Sequence, residues 1–327
     1  MRALVCHEYG PPSGLKLETR QEPAPGVGEV LIDMRAAAIN FPDILSIAGQ
    51  YQTRSDPPFV PGFELAGVIS AIGSDVEGYS VGDPVIANSH QGAFAERCIA
   101  EANACHPLPP RMSFAQGAAF TVTYATTYHA LVQSAGIKPG ETLLVLGAAG
   151  GVGTAAIEIG TALGARVIAA ASTDEKLSLA RQLGADEAIN YSSENLREAL
   201  KARLDGQGVD VVYDPVGGEL AQMALRSLNW HGRYLVIGFA SGKIPDFPAN
   251  IALLKEASIT GVWWGTWAAR NPREHMANMQ ALCDLFEAGK LAPRISGAYK
   301  LEDYVEAFDD LIHRRALGKV VFQVGES

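Results

Sequence analysis

The chain has 327 residues, 48% hydrophobic and 19% charged, with a formal net charge of −10. That length favours two domains, and the composition, free of low-complexity tracts, charge blocks and evident repeats, excludes disordered and fibrous classes. An acidic balance repels polyphosphate and anionic bilayers, so neither nucleic acid nor a membrane is an expected partner.

The opening stretch "MRALVCHEYGPPSGLKLE" meets Glu8 too early for a signal sequence. No window reaches the roughly 18 uninterrupted apolar residues of a membrane span, so a cytoplasmic location is expected. Up to about residue 110, short β-branched runs ("EVLIDMRAA", "ELAGVISAIG", "DPVIANS") alternate with Gly/Pro turns ("PPSG", "PAPGVGE", "VGDP"), which predicts a compact antiparallel β domain. Cys6, Cys98, Cys105 and Cys283 show neither CxxC spacing nor a His-x-His partner, so they read as buried thiols rather than zinc ligands or a disulfide framework.

From Ser113 a helical segment leads into strict alternation of strand and helix, with strands predicted at 142–146, 166–171, 187–190, 209–213 and 233–237. Alternation of this kind means crossover units and a parallel, doubly wound sheet. The apolar strand "SITGVWWG", the helices "EHMANMQALCDLFEAG" and "EDYVEAFDDLIHRR" and the strand "KVVFQV" then break the alternation. They predict that the chain returns to complete the first domain, which gives residues 1–122 with 266–327 as one domain and 123–265 as the other.

The stretch "LVLGAAGGVGTAAIEIG" sits between a strand and a helix. Gly147, Gly150 and Gly153, with Gly151 loosening the turn, suit a tight turn, a backbone bare enough for a pyrophosphate and close helix packing. The helix opening near Val152 would aim its amide donors at the phosphates. An NAD site would carry an acid at the tip of the next strand, about 20 residues on. That strand, "RVIAAAS", ends in Ala171 and Ser172, and Asp174 is placed to cap the following helix. With no carboxylate at the tip, Ser172 and Lys176 can receive a 2′-phosphate, and NADPH is the expected cofactor.

Together with "VLIDMRAAAINFPDIL", "VPGFELAGVISAIG", "VGDPV", "GAFAE", "VTYATTYHAL", "EKLSLARQLGADEAINY" and "NIALLKEASITGVWWG", this loop makes the chain resemble the zinc-free NADPH:quinone oxidoreductases of the medium-chain dehydrogenase/reductase superfamily along nearly its whole length. The resemblance implies an α/β protein: a Rossmann doubly wound parallel sheet plus a GroES-like antiparallel β-barrel catalytic domain, with the active site in the cleft between them. It further implies a homodimer formed through the strand at 258–265, consistent with the need to cover an apolar edge.

The resemblance implies that the two metal positions at which zinc-dependent relatives carry Cys and His are those of Asn40 and Phe63 here, leaving only Glu64 of the usual set, and that the four-cysteine lobe is missing. No metal is therefore expected. Alcohol oxidation needs a metal to acidify the hydroxyl, whereas a quinone is already electrophilic and needs positioning and a hydrogen-bond donor for the developing oxyanion. The resemblance places Asn40 and Tyr51 near the substrate carbonyl, Thr126 beside the nicotinamide and Asp43 as an orienter of the Asn40 loop. For Tyr51 the alternative is an aromatic packing a loop, and for Asn40 a turn residue before Phe41 and Pro42.

The resemblance also adds Tyr191 at the 2′-phosphate and Arg315 or Lys319 as a basic partner there. Gly238, Phe239 and residues Val262 to Trp264 would line the nicotinamide end, although packing is the alternative for the tryptophans Trp263, Trp264 and Trp267. Two other functions stay open: reduction of activated alkenes (2-alkenals, haloacrylates, enoyl-CoA thioesters) by the same hydride step, and a non-catalytic NADPH-binding sensor or RNA-binding role, which the acidic balance disfavours.

Overall fold

The structure is a computed structural model that describes residues 1–324. Strands β1 (Arg2–Val5), β2 (Lys16–Thr19) and β3 (Glu29–Ile39) precede helix α1 (Phe41–Ile47); β4 (Glu64–Ile72), β5 (Pro84–Asn88), β6 (Arg97–Glu101) and β7 (Cys105–Pro107) precede α2 (Phe114–Ala118). A one-turn helix α3 (Thr126–Tyr128) opens the second stretch, followed by β8 (Thr142–Leu146), α4 (Gly151–Ala162), β9 (Arg166–Ala171), α5 (Asp174–Gln182), β10 (Glu187–Asn190) and α6 (Leu196–Arg203). Then come β11 (Val209–Asp214), α7 (Glu219–Arg226), β12 (Leu228–Val236), α8 (Ala249–Lys255), β13 (Ser258–Gly261), α9 (Trp264–Arg270) and α10 (Pro272–Glu287). The last elements are β14 (Ile295–Tyr299), α11 (Tyr304–Ile312) and β15 (Lys319–Gln323). Contacts divide the chain into Met1–Val122 with the chain from Pro293 onward, and Thr123–Ala292.

In the first unit one sheet runs β14-β15-β3-β4-β5-β7, with β6 also on β3. β3 organises it. Along one edge β3 pairs with β4, with register shifts at Leu31/Ile32 and Met34/Ala36. Along the other it pairs with β6 through residue 33 and with β15 from Ala36 onward. The bulged strand thus changes partner midway. This corrects the expected antiparallel barrel: the sheet is open and mixed, with β14 parallel to β15. The helix α11 between those two strands supplies the long connection that parallel pairing needs.

Alanines on β3 and β4 let α2 approach one face, where Ala36, Ala38 and Ala66 meet Ala118 and Ala119. The opposite face buries Phe94, Phe308 and Phe322 in edge-to-face contacts with centroids 5.1–6.3 Å apart. Each such ring contributes roughly 1.5–3 kcal/mol through removal from water. All four cysteines are free thiols, three of them buried.

The second unit carries a parallel sheet in the order β10-β9-β8-β11-β12-β13. β8 is buried at every position because helices cover both faces. The order reverses between β8 and β11, the switch point at which such sheets bind ligands. Strand β13 ends at Gly261, shorter than the predicted run to 265, because the chain turns into α9 at Trp264. The expected return to the first domain at residue 266 also shifts, to after Ala292. Helices α9 and α10 stay with the second unit because Trp267 stacks on His129 at 4.0 Å and Asn278 exchanges two hydrogen bonds with Gln133. Among the described residues no helix is long and apolar enough to cross a membrane.

Candidate active site and cofactor cradle

The glycine loop follows β8 at the switch point. Gly147 has φ +59, and a β-carbon there would lie 2.9 Å from Val216 Cγ2 in the turn after β11. A β-carbon at Gly153 would lie 2.3 Å from the Gly147 carbonyl oxygen. These two glycines are therefore required by packing. Gly150 differs: it is the N-cap of α4, and a β-carbon there would find only the Gly147 oxygen, at 3.5 Å. No side chain caps the helix, so the amides of its first turn, at Gly151, Val152 and Gly153, have no capping side-chain acceptor. A pyrophosphate fits a bare backbone and an uncapped helix start of this kind.

At the ribose end, Lys176 Nζ lies 3.5 Å from Ser172 Oγ at the tip of β9. The neighbouring strand β10 pairs Asn190 with Ala171, and the Tyr191 amide donates to Ala171 O at 3.1 Å. Ser172, Lys176 and Tyr191 thus share one corner of the sheet. The α5 cap is Thr173, whose hydroxyl accepts the Lys176 amide, and not Asp174 as the sequence suggested. Asp174 instead accepts a hydrogen bond from Asn190 Nδ2 at 2.9 Å. A hydroxyl and an ammonium with no carboxylate on the strand tip suit a 2′-phosphate.

At the other end of the sheet, Gly238 and Phe239 follow β12 beside the end of β11, with the Gly238 amide on Asp214 O and the Val262 amide on Val236 O. Asp214, which sequence reading missed, accepts from the Val216 and Gly217 amides at 2.7 and 2.9 Å and from Tyr234 Oη at 2.6 Å. Burial nevertheless raises its pKa, and the three donors oppose that shift. Its signal was an acid ending a strand before "PVGG". Trp264, expected along the nicotinamide end, is instead buried against His275, centroids 5.5 Å apart. Trp263 is exposed. Thr126 opens α3 between two π-helical turns, Thr121–Ala125 and His129–Ser134, and is half-buried.

The first unit holds the acceptor candidates. Asn40 caps α1, and its carboxamide is enclosed, 6% exposed. Its Oδ1 accepts from Lys319 Nζ at 2.5 Å, and its Nδ2 donates to Glu64 Oε1 at 2.9 Å and to Ala38 O at 3.4 Å. An ammonium only donates, so the atom facing it must be the carboxamide oxygen, which fixes the amide orientation. Asn40 was expected to donate to a substrate carbonyl; both its amide hydrogens are engaged inside the protein instead. Asp43 accepts the Asn40 amide at 2.6 Å, as an orienter of this loop would. Asp43 is fully buried, and desolvation pushes its carboxyl up to about 8 against the Asn40 hydrogen bond and the Lys319 charge. Tyr51 packs its ring at 5.7 Å against Phe63.

Lys319 was a candidate for the 2′-phosphate, and the structure corrects this. Its ammonium is buried with Glu64 Oε1 at 2.8 Å, Asn40 Oδ1 and Ile39 O. The other candidate, Arg315, is exposed and pairs with Asp310 at 2.9 Å. Among the described residues, no three His, Cys, Asp or Glu side chains are arranged to hold a metal ion.

Comparison with known proteins places this geometry. Residues 26–129 match the family model described as "Alcohol dehydrogenase GroES-like domain", and residues 151–282 the one described as "Zinc-binding dehydrogenase". The pair defines an oxidoreductase of the medium-chain dehydrogenase/reductase class. The chain is 37% identical over 323 residues to quinone oxidoreductase-like protein 2 homolog of Nematostella vectensis, covering 98% of this chain and 88% of that one. To human quinone oxidoreductase it is 34% identical, covering 98% and 97%. The crystal structure of Escherichia coli quinone oxidoreductase complexed with NADPH superposes with a TM-score of 0.93 at 30% identity, covering 99% of this chain and 100% of that one. The chain belongs to the quinone oxidoreductase family of the medium-chain dehydrogenases/reductases.

Proposed function

We propose that the protein is a zinc-independent, NADPH-dependent reductase that delivers hydride to a quinone. The observation that carries this reading is the ammonium of Lys319, which occupies the place among Asn40 and Glu64 where a metal would need those oxygens. A divalent cation there would meet a fixed positive charge, with Phe63 offering no ligand. The residues do not fit zinc. Without a Lewis acid, an acceptor that is already electrophilic is the chemically accessible one.

The cofactor half rests on the Gly150 space, the uncapped α4 and the Ser172–Lys176 corner, all of which fit NADPH. When bound, that cofactor supplies the hydride. Gly147 to Gly153 hold the pyrophosphate, and Ser172, Lys176 and Tyr191 hold the 2′-phosphate. The hydroxyls of Tyr51 and Thr126 are the groups assigned to orient acceptor and nicotinamide, and Asn40 with Asp43 holds the loop that carries Tyr51. The protein acts as a cytoplasmic homodimer paired through β13, whose outer edge has no strand partner among the described residues and lies near exposed Leu253, Leu254 and Trp263.

The test is benzoquinone reduction by NADPH before and after exhaustive chelation. Unchanged turnover is expected, and a loss restored by added zinc would overturn the reading.

A further inference from the structure

Three oxygens from distant parts of the sequence face one ammonium. Lys319 Nζ donates to Asn40 Oδ1 at 2.5 Å, to Glu64 Oε1 at 2.8 Å and to Ile39 O at 3.2 Å. Its three hydrogens are thereby matched to three acceptors, and the lysine and glutamate side chains are 7% and 0% exposed. Glu64 Oε1 also accepts from Asn40 Nδ2, and Glu64 Oε2 accepts the Val122 amide at 2.8 Å in the π-helical turn Thr121–Ala125. Asp43, the remaining titratable group of the cluster, accepts the Asn40 amide from within α1.

The ammonium is the hub of this network. Without it, a buried carboxylate and a buried carboxamide oxygen lose their common donor, and the Asn40 carboxamide is held through its Nδ2 alone. A hydrophobic residue of similar volume would serve the fold as well as an ion pair does, so stability alone does not account for a charged pair in this location. Its location does: the network sits on the N-cap of α1, the segment that leads directly to Tyr51.

We propose that Lys319 is a positioning residue, a resident cation that does for Asn40 and Glu64 what a bound metal would otherwise do, holding the loop from Asn40 to Tyr51 in its working geometry. The inference rests on the reading of the protein as a zinc-independent reductase. Lys319 does not touch substrate, because all its hydrogens are engaged and it is buried. It acts through Asn40.

The test uses the full chain carrying 15N-asparagine, with the Asn40 side-chain signals assigned by their loss in Asn40→Ser. Lys319→Met combined with Glu64→Gln removes both charges together, and Lys319→Gln serves as a second variant that removes the ammonium alone, since a carboxamide cannot supply donors to three acceptors at once. In the wild type the Asn40 amide pair is expected to be protected from solvent exchange. In the variants protection is lost, and kcat falls about a hundredfold while the KM for NADPH stays within about twofold, since misplacement of the reacting groups acts on turnover. Lys319→Arg, which keeps the charge, should recover the protected signals and most of kcat.

Retention of both the protected signals and kcat within about twofold, in whichever of the two neutral variants folds, would overturn the proposal. Should the wild type turn over no acceptor at all, the reductase reading fails separately. The Asn40 signals then still decide whether Lys319 positions the carboxamide.

Discussion

Gly153 packs against Gly147 so closely that a β-carbon at residue 153 would stand 2.3 Å from the Gly147 carbonyl oxygen, whereas one at Gly150 would reach nothing nearer than 3.5 Å. The two glycines of one loop therefore do different work. Gly153→Ala should destabilise the protein by about 1–3 kcal/mol through overpacking. Gly150→Ala should leave the melting temperature nearly unchanged yet weaken NADPH binding at least about tenfold, since its methyl enters the pyrophosphate space. Thermal melts and fluorescence titration with NADPH separate the two, and an unaltered affinity in Gly150→Ala would remove the loop from the cofactor site.

Lys176 reaches Ser172 across the strand tip at 3.5 Å. Lys176→Glu places a negative charge where the 2′-phosphate is expected. The KM for NADPH should rise by about one to two orders of magnitude, as an ionic hydrogen bond becomes a repulsion. The KM for NADH should move little. Equal changes for both cofactors would show that the 2′-phosphate lies elsewhere.

Burial raises the Asp43 carboxyl from 3.8 to about 8, so the folded state holds a proton that the unfolded chain has lost over most of that interval. Stability falls with rising pH wherever the native state binds more protons. The Asp43 contribution is therefore fully present below its unfolded pKa and is lost as pH rises through about 8. Asp43→Asn keeps an acceptor for the Asn40 amide and cannot ionise. The variant should gain on the wild type between pH 5 and pH 8 by at least ~1 kcal/mol in denaturant melts. A difference independent of pH would show that Asp43 is ionised when folded.

Glu158 accepts Tyr124 Oη at 2.6 Å and the Ala292 amide at 3.2 Å, which ties together the two ends of the second unit. Burial raises the Glu158 carboxyl, and these two donors oppose the shift. Tyr124→Phe should cost about 1–3 kcal/mol by leaving a buried carboxyl oxygen without its donor. A melting temperature equal to that of the wild type would mean that water replaces the hydroxyl.

The parallel sheet and its glycine loop were legible because their signals are local: apolar runs at regular spacing, glycines three apart, and a strand tip without an acid. The cap of α5 was misplaced by one residue, from Thr173 to Asp174, since both are good capping residues and only the backbone decides. The open sheet of the first unit was not legible, because it follows from β3 pairing with β6 along its first half and with β15 along its second, and those pairings are tertiary events. Lys319 was read as a phosphate ligand because a basic residue near the C-terminus carries no mark of its partner. Its counter-ion, Glu64, lies 255 residues away in sequence. Asn40 was singled out as a residue of interest, but its hydrogen-bond partners include that same distant lysine.

The most direct measurement is the steady-state oxidation of NADPH and of NADH against one panel: a benzoquinone, a naphthoquinone, a 2-alkenal and acryloyl-CoA. The account predicts a preference for NADPH, with the quinones reduced fastest. Faster reduction of the alkenal or the thioester, or a preference for NADH, would contradict it.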